Sequence, residues 1–190
     1  GGLRGRSIGE IVTSAERGSA GSDERPEHPC VGTANLNFYN VTKATLGLVN
    51  QLKKSYNGED RPSIAIARDT RFFGKEFINC AAKVANENGV DIYLFPVPRS
   101  TPHLSFAVRR LGTAAGIVLT ASHNPPHDNG FKAYGRDGAQ LVDPDASEVI
   151  AEVNALSGEN YEPLPADQQG TTTELGADMD EAYMARLESL

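Results

Sequence analysis

The residues from Asn40 to Leu156 predict a three-layer α/β sandwich built on a mixed, mainly parallel sheet. Three observations carry this. Helical and strand-like segments alternate through the middle of the chain, the pattern of a sheet with helices packed on both sides. Gly116 to Thr120 is almost wholly apolar, as expected of a strand covered on both faces. A hairpin-like return follows it, which makes the sheet mixed rather than purely parallel.

Taken in order, Asn40 reads as an N-cap, and Val41, Ala44, Leu48 and Leu52 recur at helical spacing up to Tyr56. Asn57-Gly58 closes that helix. After Pro62, Ser63 to Ala67 is a short β-compatible run. Lys75 to Asn88 is helical, with Ile78, Ala81, Ala82 and Ala85 on one face and Gly89 as the stop. Val90 to Phe95 is a strand ended by Pro96-Val97-Pro98. Thr101 caps a third helix with Pro102 in its first turn; Leu104, Val108 and Leu111 form its stripe, and Gly112 ends it. Beyond the apolar strand, Phe131–Tyr134 and Ala139–Val142 read as short strands around Arg136-Asp137-Gly138. Asp143-Pro144 opens a helix carrying Val149, Ile150, Val153 and Leu156. Ser157 to Gly176 is polar and loop-like, and Asp180 to Leu190 resumes a helix. Thr13 to Pro29, rich in Ser, Gly, Glu and Arg, has too little apolar surface to offset its ordering and reads as a mobile insertion or linker. The expected organisation is an N-terminal arginine-bearing loop with the polar insertion over 1–39, the α/β domain over 40–157, and a connector over 158–190.

Composition narrows the function. The chain has 190 residues with 39% hydrophobic content, enough for a real core. It carries 18 Lys and Arg against 25 Asp and Glu, a net charge of −7. That balance argues against nucleic-acid binding, which needs a cationic surplus facing phosphates. No apolar run approaches the ~18 residues of a membrane span, and no secretory signal pattern is visible. Cys30 and Cys80 show no metal spacing and read as reduced thiols, so the expected setting is the cytoplasm.

In open α/β sheets ligands collect beyond the carboxyl ends of the strands. Three polar loops lie there: Arg68 to Arg71, Pro96 to Ser100, and Thr120 to Gly130. The third runs Thr-Ala-Ser-His-Asn-Pro-Pro-His-Asp-Asn-Gly, with Lys132 just beyond. Ser122 follows a buried strand on a turn enforced by Asn124-Pro125. A hydroxyl nucleophile needs a base or a neighbouring cation, and His123 and Lys132 are both near. The same residues also build an Asx-type turn with no chemistry, and spacing alone weighs toward that turn. His123, His127 and Asp128 lack regular metal-ligand geometry and read as a solvated loop. Arg68, Asp69 and Arg71 fit either an approach to the serine loop or an ion-paired turn bracing the domain, with the second favoured. His103 reads as a helix-surface residue.

Thr120-Ala121-Ser122-His123-Asn124-Pro125, followed by Asn129-Gly130-Phe131-Lys132-Ala133-Tyr134, resembles the active-serine loop of the α-D-phosphohexomutases, the phosphoglucomutases and phosphomannomutases. Gly2-Leu3-Arg4-Gly5 resembles the N-terminal arginine loop of that family, Asn40 to Leu48 its first helix, and Ala67 to Arg71 the turn after its first interior strand. Asp137-Gly138-Ala139-Gln140-Leu141 is closer in look to the phosphoglucomutase and phosphopentomutase branch. Leu175 to Tyr183 resembles the connector into a second domain.

The resemblance implies phosphoryl transfer between two hydroxyls of one sugar, such as glucose 1-phosphate to glucose 6-phosphate, through a phosphoserine at Ser122. It implies catalytic roles for Ser122, Lys132, Arg4 and His123, and substrate contacts from Arg4, Asn124 and Lys132. It also implies Mg²⁺ touching the phosphate on Ser122, and a sugar bisphosphate as activator. Its partners would be the sugar phosphate and the remaining domains of the same enzyme. The sequence holds no Asp-Gly-Asp-Gly-Asp metal loop, so the main Mg²⁺ ligands are expected in a second domain and the chain alone is expected to be inactive. The alternative is a non-catalytic remnant, a sugar-phosphate-binding or interaction module that keeps the fold.

Overall fold

The computed structural model describes residues 2–8 and 28–190. Among these, the strands are β1 (Leu3–Arg6), β2 (Ser63–Arg68), β3 (Asp91–Leu94), β4 (Ala115–Leu119), β5 (Asp128–Gly135) and β6 (Thr172–Glu174). They form one sheet in the order β1-β5-β4-β2-β3-β6. β2 runs parallel to both β3 and β4, and β3 parallel to β6. β5 is antiparallel to β4 and to β1, so the sheet is mixed as its sequence predicts. The helices are α1 (Phe38–Ser55), α2 (Gly74–Glu87), α3 (Thr101–Leu111), α4 (Asp145–Ala155) and α5 (Ala177–Glu188).

The period of two along each strand divides the core. Ile64 and Ile66 of β2, with Ile117 and Leu119 of β4, pack against Val41, Leu48 and Val49 of α1 and Phe77 and Ile78 of α2. The alternate residues Ala65, Ala67 and Val118 meet Leu104, Ala107 and Val108 of α3. Small residues on this second face let α3 lie close: a Cβ on Gly116 would sit 2.7 Å from Val108 Cγ2. α4 packs outside α1, and Gly47 makes room for it, since a Cβ there would meet the Val153 backbone nitrogen at 3.0 Å.

Several expectations change in detail. α1 is capped by Asn37, whose side chain accepts from the Asn40 N–H at 3.0 Å, so Asn40 lies within the helix. α3 is capped by Ser100 rather than Thr101. Ala139–Val142 forms no strand; Gly138, with φ 77°, turns the chain onto α3, and only a Tyr134–Gln140 bridge remains. The polar stretch from Ser157 to Gly176 contains β6. Its Thr-Thr-Glu is wholly exposed, so no apolar alternation announces it. Gly170 permits the approach, since a Cβ there would meet Val90 O at 2.0 Å. β1 is likewise a strand where the sequence pattern predicts a loop. β1 and β6, from the stretches 1–39 and 158–190, therefore close the two edges of the sheet formed by 40–157. Most of the Thr13–Pro29 insertion lies outside the described residues. No helix among the described residues is long and apolar enough to cross a membrane.

His103 is buried, not on the helix surface. Its ring stacks on Tyr183 of α5 at 4.2 Å between centroids and meets Phe95 edge-on at 4.9 Å. Asp180 of α5 takes a two-pronged ion pair from Arg99 and lies 3.5 Å from His103 Nε2. Leu175 and Met179 join the second core. Burial pushes the His103 imidazole below the ordinary histidine value, against the opposing pull of Asp180. The unfolded chain then takes up a proton that the folded chain refuses. Stability is complete above the ordinary histidine pKa and declines as pH falls through it. Urea midpoints measured from about pH 7.5 down to about pH 5 will show this decline, and His103→Phe, which keeps the stack, will flatten it.

Candidate active site

The carboxyl ends of β2, β3 and β4 meet at one edge of the sheet, where backbone bonds tie the loops together. Asp69 N–H donates to Leu119 O at 3.1 Å and Arg99 N–H to Arg68 O at 3.0 Å. The loop after β4 places Ala121 in the core and leaves Ser122 and His123 exposed. Ser122 has φ 60°, a left-handed conformation that costs a non-glycine residue about 1–2 kcal/mol and persists only where neighbours hold it.

Those neighbours come from the loop after β2. Thr120 Oγ1 accepts the Ser122 N–H at 2.9 Å and donates its own proton to Asp69 Oδ2 at 2.5 Å. Arg71 Nε donates to the same Asp69 oxygen at 3.0 Å. Its other nitrogens donate to the carbonyl oxygens of Ser122, Asn124, Pro125 and Asp128 at 2.7–2.9 Å. Arg71 thus both braces the domain through an ion pair and grips the serine loop, two roles that stand as alternatives in the sequence. That Arg68-Asp69-Thr70-Arg71 leaves the same sheet edge as the serine loop is the signal available there.

Lys132 follows on β5, paired with Val118, and is 9% exposed. It shares the α3 face of the sheet with Tyr134. Arg4 stands opposite Gly130 on β1, which sets it diagonal to Lys132 on that same face. Gly130 is required by packing: a Cβ there would lie 2.5 Å from Thr120 O and 2.9 Å from Leu3 O. Burial lowers the Lys132 pKa, the Arg4 charge lowers it further, and Asp69 opposes both. Arg4 itself is exposed. Asn124 is half-buried and donates its amide to Asp128 Oδ2 at 3.0 Å. The structure therefore gathers Ser122, His123, Asn124, Lys132 and Arg4 at one edge of the sheet.

No metal set forms there. Among the described residues no group of three or more His, Cys, Asp or Glu is placed to hold an ion. His127 Nε2 lies 3.7 Å from Asp128 Oδ1 but also 3.5 Å from the Arg6 guanidinium. Asp69 is occupied by Arg71 and Thr120. The arrangement offers an exposed Ser122 hydroxyl at the end of the sheet from which Arg4 and Lys132 also arise, which suits an anionic group there.

The family model described as phosphoglucomutase/phosphomannomutase, alpha/beta/alpha domain I, matches residues 23–159. A phosphoglucomutase of Staphylococcus haemolyticus is 44% identical over 126 residues, 66% of this chain and 22% of its own length. That of Staphylococcus aureus USA300 is 40% identical over 143 residues, 75% of this chain and 25% of its own. The chain thus spans a quarter or less of these relatives. A solved structure of phosphomannomutase type from Thermus thermophilus superposes with TM-score 0.65 and 29% identity over 81% of this chain and 32% of its own. A family protein from Burkholderia thailandensis, 23% identical, shares the fold with TM-score 0.62 over 82% of this chain and 32% of its own.

The charge balance at Lys132 is directly testable. Replacing Arg4 by Gln removes a like charge and will raise the Lys132 pKa, read from the ¹³Cε shift in an NMR titration; an unchanged or lower value would contradict the placement of Arg4 on that sheet face.

Proposed function

The chain belongs to the phosphoglucomutase/phosphomannomutase family as its α/β/α domain I, and from that premise we propose that Ser122 carries a phosphoryl group between two hydroxyls of one sugar phosphate. One observation supports the reading: an exposed serine is held in a left-handed turn at the end of the sheet from which Arg4 and Lys132 also arise. The phosphoserine gives its phosphoryl group to a hydroxyl of glucose 1-phosphate, and the P–O bond to Ser122 breaks as the sugar P–O bond forms. The bisphosphate reorients and returns its other phosphate to Ser122, releasing glucose 6-phosphate. A free sugar bisphosphate activates the enzyme by loading Ser122.

Such a transfer asks for in-line positioning and charge neutralisation. Lys132, its pKa lowered by burial, exchanges a proton with the reacting hydroxyl or stabilises its charge. Arg4 neutralises phosphate rather than acting as a base. His123 orients the phosphoserine or the sugar, and Asn124, with Arg4 and Lys132, contacts the substrate. Mg²⁺, when bound, would supply charge neutralisation as a hard cation, and the phosphate on Ser122 would be the group of this chain that holds it. The described residues do not fit it beyond that phosphate, because Asp69 and Asp128 already have partners, so we place its main ligands in the other domains of the enzyme. The remaining domains are the partners of this chain, and its setting is the cytoplasm. The absence of a metal set within the described residues favours a second reading, a sugar-phosphate-binding module that keeps the fold without turnover.

Three experiments decide. In the complete enzyme, Ser122→Ala will abolish phosphate incorporation and mutase turnover, where the module reading expects no functional change. Lys132→Met will lower kcat by about 10²–10⁴-fold. The purified 190-residue chain will turn over glucose 1-phosphate negligibly, and appreciable turnover would overthrow its role as one domain of the site.

A further inference from the structure

We propose that Arg71, with Asp69 and Thr120, is the positioning unit that sets the left-handed turn at Ser122 and so the direction in which the serine presents its hydroxyl; the inference rests on the carrier reading above. The conformation of a residue is defined by the peptide planes on its two sides. Both planes at Ser122 are held. The N–H of the preceding plane donates to Thr120 Oγ1, which is itself anchored on Asp69 Oδ2. The C=O of the following plane accepts from Arg71 Nη2 at 2.7 Å. Asp69 joins the two arms, because the same oxygen takes the Arg71 Nε–H and the Thr120 hydroxyl.

The grip is specific to arginine. A guanidinium has five N–H donors in a planar fork. Here Nε serves Asp69, Nη1 serves Pro125 O and Asp128 O, and Nη2 serves Ser122 O and Asn124 O. A lysine ammonium, a point charge with three donors, cannot meet these acceptors. With every donor engaged and the side chain 10% exposed, Arg71 has none left for a phosphate. It also draws four carbonyl oxygens of the loop to itself. Arg71 is therefore a positioning residue, and phosphate contact falls to Arg4 and Lys132.

The test combines a conformational and a kinetic reading. In the 190-residue chain, Arg71→Lys will speed amide hydrogen exchange at Ser122 and Asn124 by about tenfold or more, while Ile117 and Ala133 in β4 and β5 keep their protection. Thr120→Val will do the same at Ser122, and Thr120→Ser will restore protection. In the complete enzyme, Arg71→Lys will lower kcat about 10²-fold and leave KM for glucose 1-phosphate nearly unchanged. Unchanged exchange at Ser122 would overturn the proposal. So would faster exchange spread evenly through β4 and β5, which would mean general bracing. A raised KM with intact kcat would make Arg71 a phosphate ligand and also overturn it. If Arg71→Lys does not fold, the Thr120 pair decides alone. The exchange readings involve no phosphoryl chemistry, so they stand or fall separately from the Ser122→Ala result.

Discussion

Asp69 Oδ2 receives both the Arg71 Nε–H and the Thr120 hydroxyl, and the arrangement of the sheet edge hangs on that one oxygen. Asp69 closes β2, Thr120 closes β4, and Arg71 reaches the start of β5. Three strand ends are thus referred to a single carboxylate. Charge-assisted hydrogen bonds of this kind are about twice as strong as neutral ones, and partial burial of the Arg71 guanidinium shields them from solvent. The serine loop takes its shape from this knot together with its own bonds, Asn124 to Asp128 among them. Two consecutive prolines within it remove N–H donors, so it cannot satisfy itself by forming a helix or a strand.

The sheet contributes a second constraint. Its two faces differ in side-chain size: Ile and Leu face α1 and α2, while Ala65, Ala67 and Gly116 face α3. The lean face brings α3 near the sheet and leaves little room beside it. Lys132 emerges from β5 on that face, hence its burial and its lowered basicity. Arg4 arrives on the same face only because β1 adds to the edge of β5, and β1 can add only because Gly130 has no side chain.

The central architecture is legible in the sequence because its signals are hydrophobic and periodic. Ile64, Ile66, Ile117 and Leu119 mark strands, and Val41, Leu48 and Leu52 mark α1, with each pattern repeated several times. The edge strands carry no such signal. Leu-Arg-Gly-Arg and Thr-Thr-Glu are short and polar, and they pair because a neighbouring strand offers free backbone groups. Cap positions shift by one to three residues, since Asn37 and Asn40 are equally suited by type and only the fold selects between them. His103 resembles a surface residue because its covering ring, Tyr183, lies far along the chain. Ser122, Lys132 and Arg4 are recognisable as residue types, but the roles of Asp69, Thr120 and Arg71 depend on contacts across some fifty positions, which local pattern does not encode.

The chain leaves the sheet after β1 and re-enters beside its point of departure. Cys30 N–H donates to Ser7 O at 2.8 Å, Leu36 N–H donates to Arg6 O at 3.1 Å, and a Cβ on Gly5 would touch Ala34 O at 2.8 Å. Closing a loop between points this near costs entropy that grows only slowly with its length. Doubling its length costs only about 0.6 kcal/mol of closure entropy. The bonds at Arg6 and Ser7 therefore tie β1 to the approach to α1 whatever length the intervening chain takes, and Arg4 keeps its register opposite Gly130.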